Sequence, residues 1–281
     1  MEFGSESFKD LCLQICGGFS TVGCFLIILS GIFYKKLRSF TFRLIIYLSI
    51  ADLFASICFL LHDDEETSCI VQAITMNYSQ LTSILLTGVI AYSLFLMIVK
   101  ENLNVAGMEY KFLLFAFGVP AILTPLPYFT RSYGPSKGWC WIKDAGVVNQ
   151  SWMFTEFYGP FLLIFMLNIY FYSRIYYKIN YESHETFETR IMQKLMKRLK
   201  IYPISLILCF GVAFIHRVYY LAGFQENYDL DLISGCLLSL YGFINAVVYG
   251  FTRSVRKSIK RTFNNLLSAS DNSCSSKLIE S

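Results

Sequence analysis

Seven long apolar segments constrain the fold of this chain more than any other feature. An α-helix needs roughly 20 mainly apolar residues to cross a hydrocarbon core of about 30 Å. The segments cover residues 11–34, 42–61, 69–99, 112–130, 152–177, 199–222 and 232–251. Only 16% of the 281 residues are charged, which is too few to solvate the surface of a soluble protein of this length. The sequence therefore predicts an all-α membrane protein, a seven-transmembrane helix bundle formed by residues 1–251.

Basic residues are distributed unevenly between the two sets of loops that connect these segments. One set is rich in Lys and Arg, whereas the opposite set contains only Lys9, Arg131, Lys137 and Lys143. In membrane proteins the cytoplasmic loops carry the excess of basic residues. We therefore expect an integral membrane protein of the plasma membrane, with its N-terminus outside and its C-terminus in the cytoplasm.

The residues after the seventh segment form two further regions. In residues 252–267 large apolar side chains recur every four positions and basic residues occupy the other faces, a pattern typical of an amphipathic helix lying on an anionic inner leaflet. We expect a C-terminal amphipathic surface helix there, with membrane lipid as its partner. Residues 268–281 are polar and serine-rich, which predicts a disordered cytoplasmic tail.

Two cysteines fall on the predicted outer side. Cys69 begins the third segment, and Cys140 lies in the outer loop between segments four and five. A disulfide between them would tie that loop over the mouth of the bundle in an oxidising compartment. Two free thiols remain the alternative at this point.

Asp52 is a single carboxylate near the middle of the second segment. A charge at that depth is costly, so the side chain should face the bundle interior and find a polar or cationic partner. The functional interpretations are an ion site, a proton-sensitive switch or a hydrogen-bond hub shared with Asn245 of the seventh segment. A purely structural carboxyl group is the alternative.

Polar side chains from three segments lie at a comparable depth below the outer surface. Asn77 and Gln80 are spaced i and i+3 and share one face of the third helix, and the other members are Glu156, His216 and Arg217. Their convergence predicts a ligand cavity that opens to the outside. The alternative is an internal ion pair between Glu156 and Arg217 that only holds helices together.

The inner loop between segments five and six carries a basic cluster, namely Arg190, Lys194, Lys197 and Arg198. These residues either anchor a helix at the lipid surface or form a docking surface for an acidic cytosolic partner. The sequence does not separate the two interpretations.

Several functional classes find no support in the sequence. There is no catalytic constellation, no metal-ligand spacing, no cofactor motif and no basis for nucleic-acid binding, so we expect a protein that is not an enzyme. The seventh segment contains no Lys that could carry retinal. A transporter or channel with a polar intrabundle pathway is the alternative to a receptor, although no repeat relates the two halves of the chain.

Three stretches carry a resemblance to a known family: KLRSFTFRLIIYLSIADLFAS at residues 36–56, GWCWI at 138–142 and GFINAVVYG at 242–250. Together with the seven segments they resemble the G-protein-coupled receptors of the cyclic-AMP-receptor-like (class E) group. The resemblance implies a receptor that binds an extracellular ligand, with cyclic AMP as one candidate, and signals through a heterotrimeric G protein. It implies Cys69–Cys140 as the family disulfide and Asp52, Asn245 and Tyr249 as an interior switch network.

The chain departs from the rhodopsin-like receptors in three places. Its NPxxY-type string is NAVVY, its third helix ends without a DRY-type triplet, and its sixth helix lacks a CWxP motif. These departures fit class E better. Acidic residues on the outer side, such as Asp229 and Asp231, would also slow the approach of an anionic ligand, and Arg217 and Lys143 are the candidate phosphate contacts.

Overall fold

Seven helices of the chain are long and apolar enough to cross a membrane, which confirms the predicted fold class. The computed structural model describes residues 2–34, 39–61, 65–102, 104–136, 139–182, 201–222 and 227–250. The predicted surface helix at 252–267, the tail at 268–281 and the basic cluster (Arg190, Lys194, Lys197 and Arg198) lie outside the described residues. The side chain of Tyr249 does so too.

The first four helices are α1 (Glu2–Phe33), α2 (Phe40–Leu60), α3 (Glu66–Ile98) and α4 (Glu109–Leu123). A 3₁₀ turn (Val105–Met108) precedes α4, and a short helical turn (Leu126–Phe129) follows it. Helix α5 consists of four consecutive stretches, Val147–Met153, Phe154–Tyr158, Gly159–Tyr177 and Lys178–Glu182. Helix α6 consists of Ile201–Leu206, Ile207–Gly211 and Val212–Leu221. Helix α7 consists of Tyr228–Asn245 and Ala246–Gly250.

Helix α7 begins four residues before its predicted apolar segment because a capping residue precedes it. The side chain of Asn227 accepts hydrogen bonds from the backbone N–H groups of Asp229 and Leu230. Such a cap satisfies donors that have no partner within the helix, and acidic residues in the first turn interact favourably with the helix dipole. Hydropathy alone misses this polar first turn.

A π-helical turn, Phe154–Tyr158, widens α5 directly before Gly159 and Pro160. Proline lacks the N–H group that a regular helix needs and clashes with the carbonyl four residues earlier. A Cβ atom at position 159 would lie 2.7 Å from the carbonyl oxygen of Phe154, so only glycine fits there. The Gly-Pro pair therefore accounts for a bulge that displaces the first half of α5.

Helix α3 forms the centre of the bundle. Buried residues make up 89% of its most apolar stretch but only 28% of the corresponding stretch of α4, which lies at the periphery. Helix α3 packs against α2, α4 and α5, while α1 packs against both α2 and α7, and α6 packs against α7. Polar side chains on α3 thus face other helices rather than lipid.

A β-hairpin interrupts the otherwise helical chain between α4 and α5, which the sequence analysis did not predict. Strands β1 (Tyr133–Ser136) and β2 (Trp139–Ile142) are antiparallel, with Tyr133 opposite Ile142 and Pro135 opposite Cys140. The Cys69–Cys140 disulfide is present, with the two Cα atoms 5.3 Å apart, and it ties β2 to the first turn of α3. This end of the bundle is called the hairpin end below.

Candidate functional site

A cavity lies under the β-hairpin, between α3, α5, α6 and α7, and is called the hairpin cavity. Trp139 and Trp141 of β2 line its upper wall, and it encloses about 470 Å³ including its open mouth. The remaining lining residues are Gln80, Ser136, Phe157, Tyr158, Ala213, His216, Arg217, Asp231, Ser234 and Leu238. The hairpin and four helices therefore build one concave site, in which aromatic rings lie beside polar and charged side chains.

Arg217 of α6 is bound by the segment that follows the hairpin. Its Nη2 atom lies 2.8 Å from Oδ1 of Asp144, whose other oxygen accepts a hydrogen bond of 2.9 Å from the Ser136 hydroxyl. The guanidinium is 9% exposed, and its Nη1 atom has no hydrogen-bond partner among the described residues. A charged donor is thus available in the cavity wall.

A second ion pair joins three elements at the same end. Lys9 of α1 pairs with Asp231 of α7, and its ammonium group lies 5.4 Å from the centre of the Trp139 ring. Nδ1 of His216 lies 3.8 Å from the Asp231 carboxylate and 3.4 Å from the Ser234 hydroxyl. This side of the cavity is consequently held by contacts between α1, α6, α7 and the hairpin.

Asn77 and Glu156 lie behind the cavity wall rather than in it. Both are 0% exposed, and the Asn77 amide nitrogen donates to the Glu156 carboxyl. The same nitrogen donates to the Tyr133 hydroxyl at 3.0 Å, and the Asn77 oxygen accepts from the Trp141 indole at 3.1 Å. Tyr133 donates in turn to the carbonyl of Thr124 at 2.7 Å. This hairpin anchor joins both strands to α3, α5 and the end of α4.

Burial is the main cause that raises the pKa of the Tyr133 phenol above its ordinary value, and the neighbouring Glu156 carboxyl adds to it. The hydroxyl therefore keeps its proton and acts as a hydrogen-bond donor to Thr124.

The structure brings together only part of the predicted ligand set. Gln80, His216 and Arg217 line the hairpin cavity, whereas Asn77 and Glu156 belong to the hairpin anchor. The ion pair between Glu156 and Arg217, which the sequence left open, is not formed, because Arg217 binds Asp144 instead. The bulge in α5 turns Glu156 toward α3.

Asp52 lies at the meeting point of α2, α3 and α7, here called the Asp52 centre. Its Oδ1 atom accepts a hydrogen bond from Ser83, and its Oδ2 atom accepts one of 2.8 Å from the Asn245 amide. Ser205 of α6 donates to the Asn245 oxygen at 3.3 Å. Asp52 and Asn245 thereby connect four helices.

Close helix packing and a small cavity surround this centre. A Cβ atom at Gly242 would lie 2.8 Å from the Cys24 sulfur and 3.2 Å from the Asp52 Cβ, so glycine permits α7 to approach α1 and α2. The inner cavity measures about 280 Å³ including its open part. Its lining includes Asp52, Ala55, Ser56, Gln80, Ser83, Phe210, Leu238, Ser239, Tyr241 and Gly242.

Several contacts of the site were not predicted from the sequence. Asp231 was expected in an acidic outer surface, yet it pairs with Lys9 of α1, and Asp144 pairs with Arg217 of the cavity wall. At the opposite end of the bundle, Arg43 of α2 forms a bidentate pair with Glu109 of α4. Each acid and its base are far apart in sequence, so no local pattern indicates the pairing.

Within the described residues no group of His, Cys, Asp and Glu has the arrangement of a metal site.

Comparisons with known proteins extend the resemblance over nearly the whole chain. The family model of the slime mold cyclic AMP receptor matches residues 5–263. G-protein coupled receptor 1 of Arabidopsis thaliana is 26% identical over 251 residues, covering 85% of this chain and 77% of the relative. Cyclic AMP receptor-like protein A of Dictyostelium discoideum is 25% identical over 257 residues, covering 89% and 66%. Latrophilin receptor-like protein A of the same organism is 27% identical over 251 residues, covering 87% and 79%.

Proposed function

Because this chain belongs to the slime mold cyclic AMP receptor family, we propose that it binds a ligand in the hairpin cavity and activates a heterotrimeric G protein at the opposite end of the bundle. The observation that carries this proposal is the cavity itself. It lies at the hairpin end, its wall combines aromatic rings with a buried guanidinium, and four helices of the bundle contribute to it.

The orientation of the chain is part of the proposal. The excess of basic residues in the loops opposite the hairpin favours a cytoplasmic location for that end. The hairpin and its disulfide then face the outside, where disulfides persist. In this orientation the ligand enters from outside the plasma membrane.

An anionic ligand, with cyclic AMP as the first candidate, suits the cavity chemistry. Arg217 offers a buried Nη1 atom that has no partner among the described residues. The indole rings of Trp139 and Trp141 provide flat apolar surface for a ring system beside it. One relative is named a cyclic AMP receptor-like protein, which agrees with this candidate.

Signalling requires that the ligand bind one state of the bundle more tightly than the other. The Asp52 centre is the proposed switch network, because Asp52 and Asn245 connect α2, α3 and α7 through hydrogen bonds that can exchange partners. Tyr249 is the proposed third member. The basic cluster at Arg190, Lys194, Lys197 and Arg198 is proposed to contact the G protein.

The test is an energy-transfer assay of G-protein dissociation in cells that express the full chain. Cyclic nucleotides, amines and peptides are applied, and cyclic AMP is expected to activate. Replacing Arg217 by Gln should lower the potency of an anionic agonist at least tenfold at unchanged surface expression. Arg131→Gln serves as the control, because that exposed arginine also lies at the hairpin end.

A second variant separates ligand binding from structural pairing. Arg217→Gln leaves Asp144 without its cation, which could itself impair folding. If Arg217 is only a structural partner, adding Asp144→Asn should restore the wild-type response. A response that stays weak in the double variant supports contact with the ligand, whereas full recovery contradicts it.

A further inference from the structure

Gln80 of α3 lies between the two cavities of the bundle. It lines the hairpin cavity on one side and the inner cavity beside Asp52 on the other, and Leu238 of α7 is the other residue that they share. The side chain is 6% exposed. Gln80 and Leu238 therefore form the partition between the candidate ligand site and the candidate switch.

The Gln80 side-chain amide has no hydrogen-bond partner among the described residues, in contrast to the other polar groups nearby. Asp52 and Asn245 below the partition are hydrogen bonded, and so is Asp231 above it. A side-chain amide can make up to four hydrogen bonds, and this one lines both cavities. The amide is thus free to take a partner on either side.

Below the partition there is a matching group. The Ser239 hydroxyl of α7 is buried, has no hydrogen-bond partner among the described residues, and lines the same inner cavity as Gln80. A hydroxyl both donates and accepts, so it can bind either end of an amide. Rotation of the Gln80 side chain would satisfy both groups and connect α3 to α7 one turn away from Asp52.

We propose that Gln80 is a positioning residue that couples the two cavities by alternating between them. In the inactive arrangement its amide binds the Ser239 hydroxyl and holds α3 against α7, a contact that needs rotation of the Gln80 side chain from its described position. A ligand that presents a hydrogen-bonding edge, such as a carboxamide or a nitrogen heterocycle, to the floor of the hairpin cavity draws the amide outward and releases this contact. The signalling part rests on the proposed function, whereas the two positions of the amide do not.

The inner position is tested without any ligand by a double-mutant cycle. Thermal unfolding of the purified full chain is measured for Gln80→Leu, Ser239→Ala and the double variant. The Tm shift of the double variant should depart from the sum of the single shifts by at least roughly 2 °C. The control cycle pairs Gln80→Leu with Ser93→Ala, whose buried hydroxyl bonds within α3 at Ile90. Additive shifts in the Ser239 cycle would overturn the inner position.

The outer position is tested by thiol accessibility. Gln80→Cys is expected to react with a membrane-impermeant methanethiosulfonate reagent applied from the hairpin side. Ser83→Cys, one helical turn further along α3, lines only the inner cavity and should react at least tenfold more slowly. Equal rates would mean that no partition exists, and an unreactive Gln80→Cys would mean that this residue does not reach the ligand side.

The coupling is tested by basal G-protein activation. Gln80→Leu removes the contact that holds the inactive arrangement, so basal activity should rise at least threefold, and Ser239→Ala should produce the same change. Unchanged basal activity in both variants, in a receptor that does activate its G protein, would overturn the coupling. A wild-type chain that activates no G protein would contradict the proposed function, and the two preceding measurements would still decide the positions of Gln80.

Discussion

Two buried carboxyl groups, Asp52 and Glu156, lie in contrasting surroundings within the same bundle. Both oxygens of Asp52 accept hydrogen bonds, and the group borders a cavity. Only one oxygen of Glu156 has partners among the described residues; its Oε1 atom has none. Glu156 is surrounded instead by the aromatic residues of the hairpin anchor. We therefore expect helices to rearrange around Asp52 and to stay fixed around Glu156.

The two regions also differ in what they connect. The Asp52 centre joins helices through side-chain hydrogen bonds and close packing at Gly242, without a covalent link. The hairpin anchor combines such bonds with a covalent link and with close ring contacts, such as Trp141 against Phe157 at 5.3 Å. We therefore expect substitutions in the anchor to change stability and substitutions in the centre to change signalling.

The largest effect is expected from the covalent part of the anchor. Replacing Cys140 by Ser removes a crosslink between residues 71 positions apart, which should lower the free energy of unfolding by about 4 kcal/mol. Surface expression and thermal unfolding of the purified chain measure it. Cys236→Ser, at a half-buried free thiol, is the control and should have little effect. Recovery of Cys69 and Cys140 as free thiols from folded protein would contradict the pairing.

Asn77→Leu should have the next largest effect. Asn77 bonds Tyr133, Trp141 and Glu156, so its loss leaves the Trp141 indole without a partner and the Glu156 carboxyl with only a long bond of 3.5 Å from Tyr133. We expect a loss of about 3 kcal/mol in stability. Thr75→Val on the same helix removes only a local bond to Val71 and should be nearly neutral. A stable Asn77→Leu variant would show that the anchor does not hold the hairpin.

A smaller loss of stability is expected for a substitution of Glu156 itself, because its partner, the Asn77 amide nitrogen, needs only an oxygen that accepts a hydrogen bond. The Trp141 indole can only donate, so it fixes the Asn77 oxygen toward itself and the Asn77 nitrogen toward Glu156. Glu156→Gln keeps an acceptor there and should cost less than about 1 kcal/mol, whereas Glu156→Leu should cost about 2 kcal/mol. Thermal unfolding distinguishes them. Equal losses in both variants would indicate that the negative charge itself is required.

The sequence was sufficient to predict the seven helices, but not which side chains meet at the site. Hydropathy identifies the seven spans because lipid requires long apolar helices. The hairpin could not be predicted in this way, because the strands YGPS and WCWI are only four residues each and carry no long alternating pattern. The position of Glu156 could not be predicted, because helical spacing assumes a regular α5. The bulge at Phe154–Tyr158 rotates every residue before it.

The sequence also does not show which charged side chains pair with each other across the bundle. Arg217 and Asp144 are 73 positions apart, and Lys9 and Asp231 are 222 positions apart. The sequence indicates that each buried charge needs a partner, but several candidates of opposite sign satisfy that requirement. Only the three-dimensional arrangement selects Asp144 over Glu156 for Arg217.

The smallest change in stability, and the clearest change in signalling, is expected for Asp52→Asn. The new side chain keeps an oxygen for the Asn245 amide, and its own amide nitrogen can donate to the Ser83 hydroxyl once that hydroxyl rotates. Stability should therefore change by less than about 1 kcal/mol. The ionisable group is lost, however, so position 52 can no longer gain or lose a proton where α2, α3 and α7 meet. Basal or agonist-stimulated G-protein activation should shift at least threefold, while Glu156→Gln leaves both unchanged at equal surface expression. If Glu156→Gln alters activation as strongly as Asp52→Asn, the division into an anchor and a switch is wrong, since both carboxyl groups would then belong to one network.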